Sequence, residues 1–218
     1  EWNEKINVIS RKDMDDFYLH HVLHSLTLTS FIKFASGTTI LDLGCGDGEL
    51  LAHLRDKFDT KGYGLEIDEE KINDCVARGV NVIQQNLNKG LSNFGDNSFD
   101  SVIMTQALQA VEKPDQLLND MLRVGKQAII TFPNFAHWKT RSYLFFKGQM
   151  PVSEALPYSW YDTPNIHLCT FRDFEALCQE LDIKILNRLA VDDDQQGSFL
   201  MKYLPNLMGE VAIYRVSR

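Results

Sequence analysis

From Thr38 onward, short apolar runs alternate with helical stripes. TTILDL reads as a strand, and after the next glycines Leu50, Leu51, Leu54 and Phe58 recur at helical spacing. KGYGLEI is a second strand, followed by a helix that Asp68 caps and that buries Ile72, Cys75 and Val76. VNVIQQ and FDSVIMT are the third and fourth strands. Pro114 suits the first turn of a helix with Leu117, Leu118, Met121 and Leu122 inside, closed by Gly125. KQAIITF is a fifth strand. Further on, Thr170 caps a helix carrying Phe174, Leu177, Cys178 and Leu181. IKILNRLAV and GEVAIYRV are two late strands joined through DDDQQGSFLMKYLPNLM.

This alternation predicts an α/β fold: a mostly parallel sheet with helices on both faces, and a last strand turned antiparallel by the late hairpin. A ligand belongs beyond the carboxyl ends of the first strands, at the switch point. Residues 38–218 are expected to form one domain, with residues 1–37 a separate helical segment packed on it.

The chemistry is narrowed by LDLGCGDGEL, residues 41–50. A dinucleotide fingerprint spaces its glycines G-x-G-x-x-G and rests a diphosphate on the helix N-terminus. Here Gly44, Gly46 and Gly48 follow G-x-G-x-G, and Asp47 and Glu49 stand where the helix begins. Carboxylates there favour the helix dipole and repel a diphosphate. They tolerate a cationic nucleoside, and Asp42 at the strand end adds a third acid. S-adenosylmethionine is such a ligand, whereas a nicotinamide dinucleotide has to bind against Asp47.

Glu66, ending the second strand, is placed to accept both ribose hydroxyls. Asn86 follows the third strand, where its carbonyl can accept from an adenine amino group. Leu87 beside it offers a backbone N–H and an apolar wall, and Gln106, after the fourth strand, lines the cleft. With Cys45 in the loop and Ile67 after Glu66, the expected cofactor set is Asp42, Gly44, Cys45, Gly46, Glu66, Ile67, Asn86, Leu87 and Gln106.

These residues resemble a class I S-adenosylmethionine-dependent methyltransferase, Rossmann-like in fold, and more narrowly the methionine-biosynthesis MetW family. The resemblance rests on ILDLGCGDGELLAHLR, CVARGVNVIQ, MTQALQAV with the following KP, FPNFAHWKTR, GQMPVSEALPYSWYDTPNIHLCTFRDF and YLPNLMGEVAIYR. It covers Thr38 to the C-terminus. Gln85-Asn86 stands where the family pattern has Gly-Asp, and the first 35 residues match no family pattern. The resemblance implies S-adenosylmethionine or S-adenosylhomocysteine as cofactor and a homoserine O-acyltransferase as the partner whose activity is supported. The alternative is methyl transfer to an unidentified small molecule.

Methyl transfer needs a general base only where the acceptor must lose a proton. The residues that bear on this lie in segment 134–169: His137, Tyr158, Tyr161, Asp162 and His167. Asn134 is expected to open a helix with His137 near its start; structural roles are favoured for both histidines, and no catalytic residue is assigned. The same segment holds Phe135, Trp138, Tyr143, Phe145, Phe146 and Trp160, an aromatic set suited to enclosing a small acceptor or to binding a protein. His20 and His24 have metal-ligand spacing but no H-E-x-x-H context, so no metal is expected.

Net charge of −8 and a pI near 5.2 argue against a nucleic-acid partner. Asn-Pro-Pro-Tyr is absent, which removes support for nucleobase transfer. Asp192–Asp194 reads as a solvated loop. Cys45, Cys75, Cys169 and Cys178 form no C-x-x-C pair and read as reduced thiols of a cytoplasmic protein. EWNEKINVIS does not read as a signal peptide, and no stretch reads as a membrane span.

Overall fold

A computed structural model describes residues 34–153, 156–191, 201 and 203–218. The described part of the α/β unit begins at Phe34. The expected N-terminal helical segment up to residue 33, with His20 and His24, and the acidic run Asp192–Asp194 lie outside the described residues.

Seven strands form one sheet. They are β1 (Thr39–Leu43), β2 (Lys61–Glu66), β3 (Asn81–Gln84), β4 (Ser101–Thr105), β5 (Ala128–Pro133), β6 (Lys184–Val191) and β7 (Val211–Ser217). Their order is β3-β2-β1-β4-β5-β7-β6. β1 to β5 pair in parallel, and β7 runs antiparallel between β5 and β6, as the late hairpin predicts. Among the described residues the helices are α1 (Glu49–Phe58), α2 (Glu69–Ala77), α3 (Pro114–Val124), α4 (Trp138–Lys147), α5 (Phe171–Glu180) and α6 (Pro205–Met208).

Central parallel strands are covered on both faces, so they are apolar at consecutive positions. All six residues of β5 are buried. In β1, Ile40, Leu41 and Leu43 are fully buried. Leu50, Leu51 and Leu54 of α1 pack inward, each full burial contributing about 2 kcal/mol. α5 docks through Phe171 and Phe174, whose rings lie 5.8 and 4.6 Å from that of Tyr214 on β7. Its N-terminus carries the full reciprocal cap, Thr170 with Asp173.

Three local expectations change. Of Ile72, Cys75 and Val76 on α2, only Cys75 is buried, and Val76 is 64% exposed. The reason is position: α2 lies over β3, an edge strand whose own residues are largely exposed. Gly125 ends α3 at φ −113°, so it is not a left-handed cap. A Cβ there would stand 2.6 Å from Val102 Cγ2, and close packing on β4 explains the glycine. Asn134 does not open α4, which starts from His137. The Asn134 amide instead donates to the carbonyls of Asn206 and Gly209, fastening the approach to β7.

Candidate functional site

The chain runs β1, β2, β3 to one side and then crosses to β4 on the other, so β1 and β4 flank the switch point. The loop after β1 turns back at once. Gly44 N–H and Cys45 N–H both donate to Leu65 O, at 2.8 and 3.1 Å. Gly44, Gly46 and Gly48 all have φ between 58° and 78°, the left-handed region that glycine enters without strain. A Cβ on Gly48 would also stand 2.9 Å from Cys75 Sγ, so α2 closes on this turn.

Three strand ends meet here. A Cβ built on Gly44 would stand 3.3 Å from Ala107 Cβ and 4.0 Å from Leu87 Cδ1. The Asn88 carboxamide links the turns after β3 and β4 by accepting from Glu112 N–H at 3.0 Å. Asn86 caps the short 3-10 turn Leu87–Lys89, its carboxamide oxygen accepting from Asn88 N–H. Gln106, after β4, sits at φ +50°, and its N–H donates to both Thr131 O and Thr131 Oγ1. A non-glycine residue held in this region costs on the order of 1 kcal/mol, and such strain concentrates at functional positions.

The two acids differ in setting. Asp42 is 1% exposed on central β1, and its Oδ1 has no hydrogen-bond partner. Burial, with Glu66 adding to it, pushes its carboxyl up to about 7. Glu66 is engaged instead: Oε2 accepts from Gly46 N–H at 2.9 Å, and Oε1 accepts from Ile67 N–H and Asp68 N–H at 2.8 and 3.1 Å. A carboxylate offers about four acceptor positions, so capacity remains for a hydroxyl donor.

Asp47 departs from its expected role. Its carboxylate pairs with Arg78 at 2.7 Å and accepts from Glu49 N–H. That pairing offsets the charge that was expected to repel a diphosphate. The acidic character of the cleft therefore rests on Asp42 and Glu66. Cys45 lies against β2, where a Cβ on Gly64 would come within 2.3 Å of its sulfur. The Cys45 and Cys75 sulfurs are 3.8 Å apart, and burial raises both thiols. Ile67 is 58% exposed beside Glu66.

Sequence reasoning missed Gln109, although it stands within MTQALQAV. It is buried, its amide donates to Gln106 O, and its Oε1 has no hydrogen-bond partner. Its carbonyl accepts from both Ile166 N–H and His167 N–H, which ties segment 134–169 to the turn after β4. His137 is buried, with Nδ1 3.7 Å from Glu210 Oε1, and the His167 ring approaches Glu112 O at 3.4 Å. Tyr158, Tyr161 and Asp162 are exposed. Among the described residues, no group of His, Cys, Asp and Glu is arranged to hold a metal ion.

The family model for methionine biosynthesis protein MetW matches residues 24–216. The chain belongs to the MetW family. The match starts upstream of Thr38, so residues 24–37 are part of the family pattern, contrary to the expectation from the motifs. The bifunctional methionine biosynthesis protein MetXA/MetW of Rhodopirellula baltica is 38% identical over 192 residues, 84% of this chain. This MetW-family chain spans only 31% of that relative's length.

Solved structures show the fold. A magnesium protoporphyrin IX methyltransferase from Synechocystis PCC 6803, with bound SAH, superposes with a TM-score of 0.65 at 15% identity, covering 94% of this chain and 86% of that one. An S-adenosylmethionine-dependent methyltransferase from Mesorhizobium loti gives 0.64 at 17% identity, covering 88% and 96%. The sheet is that of the Rossmann-like, class I methyltransferases.

Proposed function

We propose that this chain is an S-adenosylmethionine-binding, methyltransferase-like protein of methionine biosynthesis that supports a homoserine O-acyltransferase in the cytoplasm. The observation that carries the partnership is the Rhodopirellula baltica relative, in which MetXA and MetW are joined in one polypeptide. Joining two units raises their effective concentration and favours pairs that act together.

The cofactor reading rests on the switch-point site. Asp42 holds an unpartnered buried oxygen, the chemistry an ammonium group satisfies. Nothing stands within 4 Å of a Cβ built on Gly46, so the loop leaves room for a ligand. In this reading Asp42 and Gly44–Gly46 hold the amino-acid end and Glu66 the ribose. Asn86 and Leu87 meet the adenine, and Ile67 and Gln106 border the cleft. When bound, S-adenosylmethionine would supply a sulfonium methyl group.

A second reading, methyl transfer to a small molecule, is favoured by one feature of segment 134–169. Phe135, Met150, Leu156, Tyr158, Trp160 and Leu168 line most of a small apolar pocket that is partly open to solvent. A neighbouring cavity reaches Gln109 and His167.

The two readings separate in one experiment. The acyltransferase of the same organism is assayed with and without the purified chain, in the presence of S-adenosylmethionine, while S-adenosylhomocysteine release is followed. A faster acylation without stoichiometric S-adenosylhomocysteine supports the accessory role. Turnover of S-adenosylmethionine without an effect on acylation supports the second reading.

A further inference from the structure

Helix α4 is fastened at one end and uncovered along the rest. Its first turn is held by Arg141, whose Nε donates to Ala136 O at 2.5 Å, and Thr140 is its one buried residue. Beyond that turn, Phe145 is 83% and Phe146 79% exposed. Helical spacing puts Trp138 and Phe145 on one line, seven residues apart, with Tyr143 and Phe146 on the adjacent line. Trp138, Phe145 and Phe146 form an aromatic arc on the side away from Thr140, with Tyr143 between Phe146 and Thr140. The Phe145 and Phe146 rings meet edge to face at 5.1 Å, a paired knob rather than two scattered residues.

Aromatic residues in water at this density mark an interaction surface. The local charge gives the partner's character. Residues 134–153 contain Lys139, Arg141 and Lys147 and no carboxylate, although the chain as a whole carries −8. A partner that fits has an apolar groove rimmed with Asp and Glu, and receives the helix through its exposed aromatic side chains.

We infer that the Trp138–Lys147 helix is the face through which the chain docks on the acyltransferase, the unit joined to the MetW part in the Rhodopirellula baltica relative. This inference rests on the partnership proposed above. Phe145 and Phe146 are the anchors, and Arg141 and Lys147 steer the encounter.

The test uses the full chain and the separate acyltransferase, with the affinity measured by calorimetry. Three controls accompany it: sedimentation of the chain alone, S-adenosylmethionine affinity, and flotation with vesicles containing phosphatidylserine. The chain is expected to bind the acyltransferase. The double variant Phe145→Ser, Phe146→Ser is expected to bind it about 30-fold or more weakly, with cofactor affinity unchanged. Added salt is expected to slow association with the unaltered chain.

Failure of the unaltered chain to bind would overturn the partnership itself. Equal binding by chain and double variant would leave the partnership standing and overturn the docking face. Self-association or vesicle binding that depends on Phe145 and Phe146, with acyltransferase affinity unaffected by the variant, would reassign the face and overturn the proposal.

Discussion

The Glu66 carboxylate accepts a hydrogen bond from the Gly46 backbone N–H at 2.9 Å, and so ties the second strand to the glycine loop. Its other oxygen takes the N–H groups of Ile67 and Asp68. One side chain thus shapes the loop and, in the proposed cofactor pose, meets the ribose. Glu66→Ala is expected to lower thermal stability by about 1–3 kcal/mol through lost acceptors, and to weaken S-adenosylmethionine binding by a similar amount. Scanning calorimetry and titration calorimetry measure the two effects. An unchanged affinity would remove Glu66 from the cofactor site.

Asp42 gives the molecule a specific pH response. Its carboxyl is held near 7 in the folded chain against 3.8 unfolded. Between these values the folded state retains a proton that the unfolded chain has released. Stability from this group therefore falls as pH rises from about 4 to about 7. Asp42→Asn should flatten that slope in urea denaturation series at pH 5 and pH 8. In the unaltered chain, S-adenosylmethionine affinity should rise as pH passes through about 7, because the proposed pairing of Asp42 with the ammonium requires the ionised carboxylate.

Gln106 stores strain at the end of β4, with φ +50°. Gln106→Gly relieves it and should raise stability by about 0.5–1 kcal/mol, read from the urea midpoint. The same change removes a side chain from the cleft border, so cofactor affinity should fall while stability rises. A drop in both would place the residue's importance in packing.

Tyr214 lies among Phe132, Phe171 and Phe174, and its hydroxyl donates to Glu175 Oε1 at 2.9 Å. Burial and then the Glu175 carboxylate raise its phenol well above the usual range. Tyr214→Phe should cost about 1 kcal/mol in denaturant unfolding. It should leave cofactor affinity unchanged, since β7 and α5 lie on the far side of β5 from the glycine loop.

Much of this was legible because local chemistry and tertiary need agree. Asp68 and Thr170 cap the helices their positions predict, and Pro114 opens α3. The central strands read clearly because burial on both faces forces continuous apolar runs. The misreadings have a common cause in long-range placement. Val76 sits at a helical core spacing, but α2 covers an edge strand. Asp47 reads as a free acid until Arg78, the residue that caps the end of α2, is brought to it. Gln109 looks like one more loop amide, and only the fold shows its carbonyl receiving Ile166 and His167. Exposure of the α4 aromatics was equally hidden, since their spacing suits a buried helix as well as a bare one.

The most direct measurement is the initial rate of the homoserine O-acyltransferase with increasing amounts of the purified chain, at saturating S-adenosylmethionine. The rate is expected to climb and then saturate at a fixed ratio of the two proteins. A rate that stays flat, with the chain folded and S-adenosylmethionine bound, would contradict the accessory role.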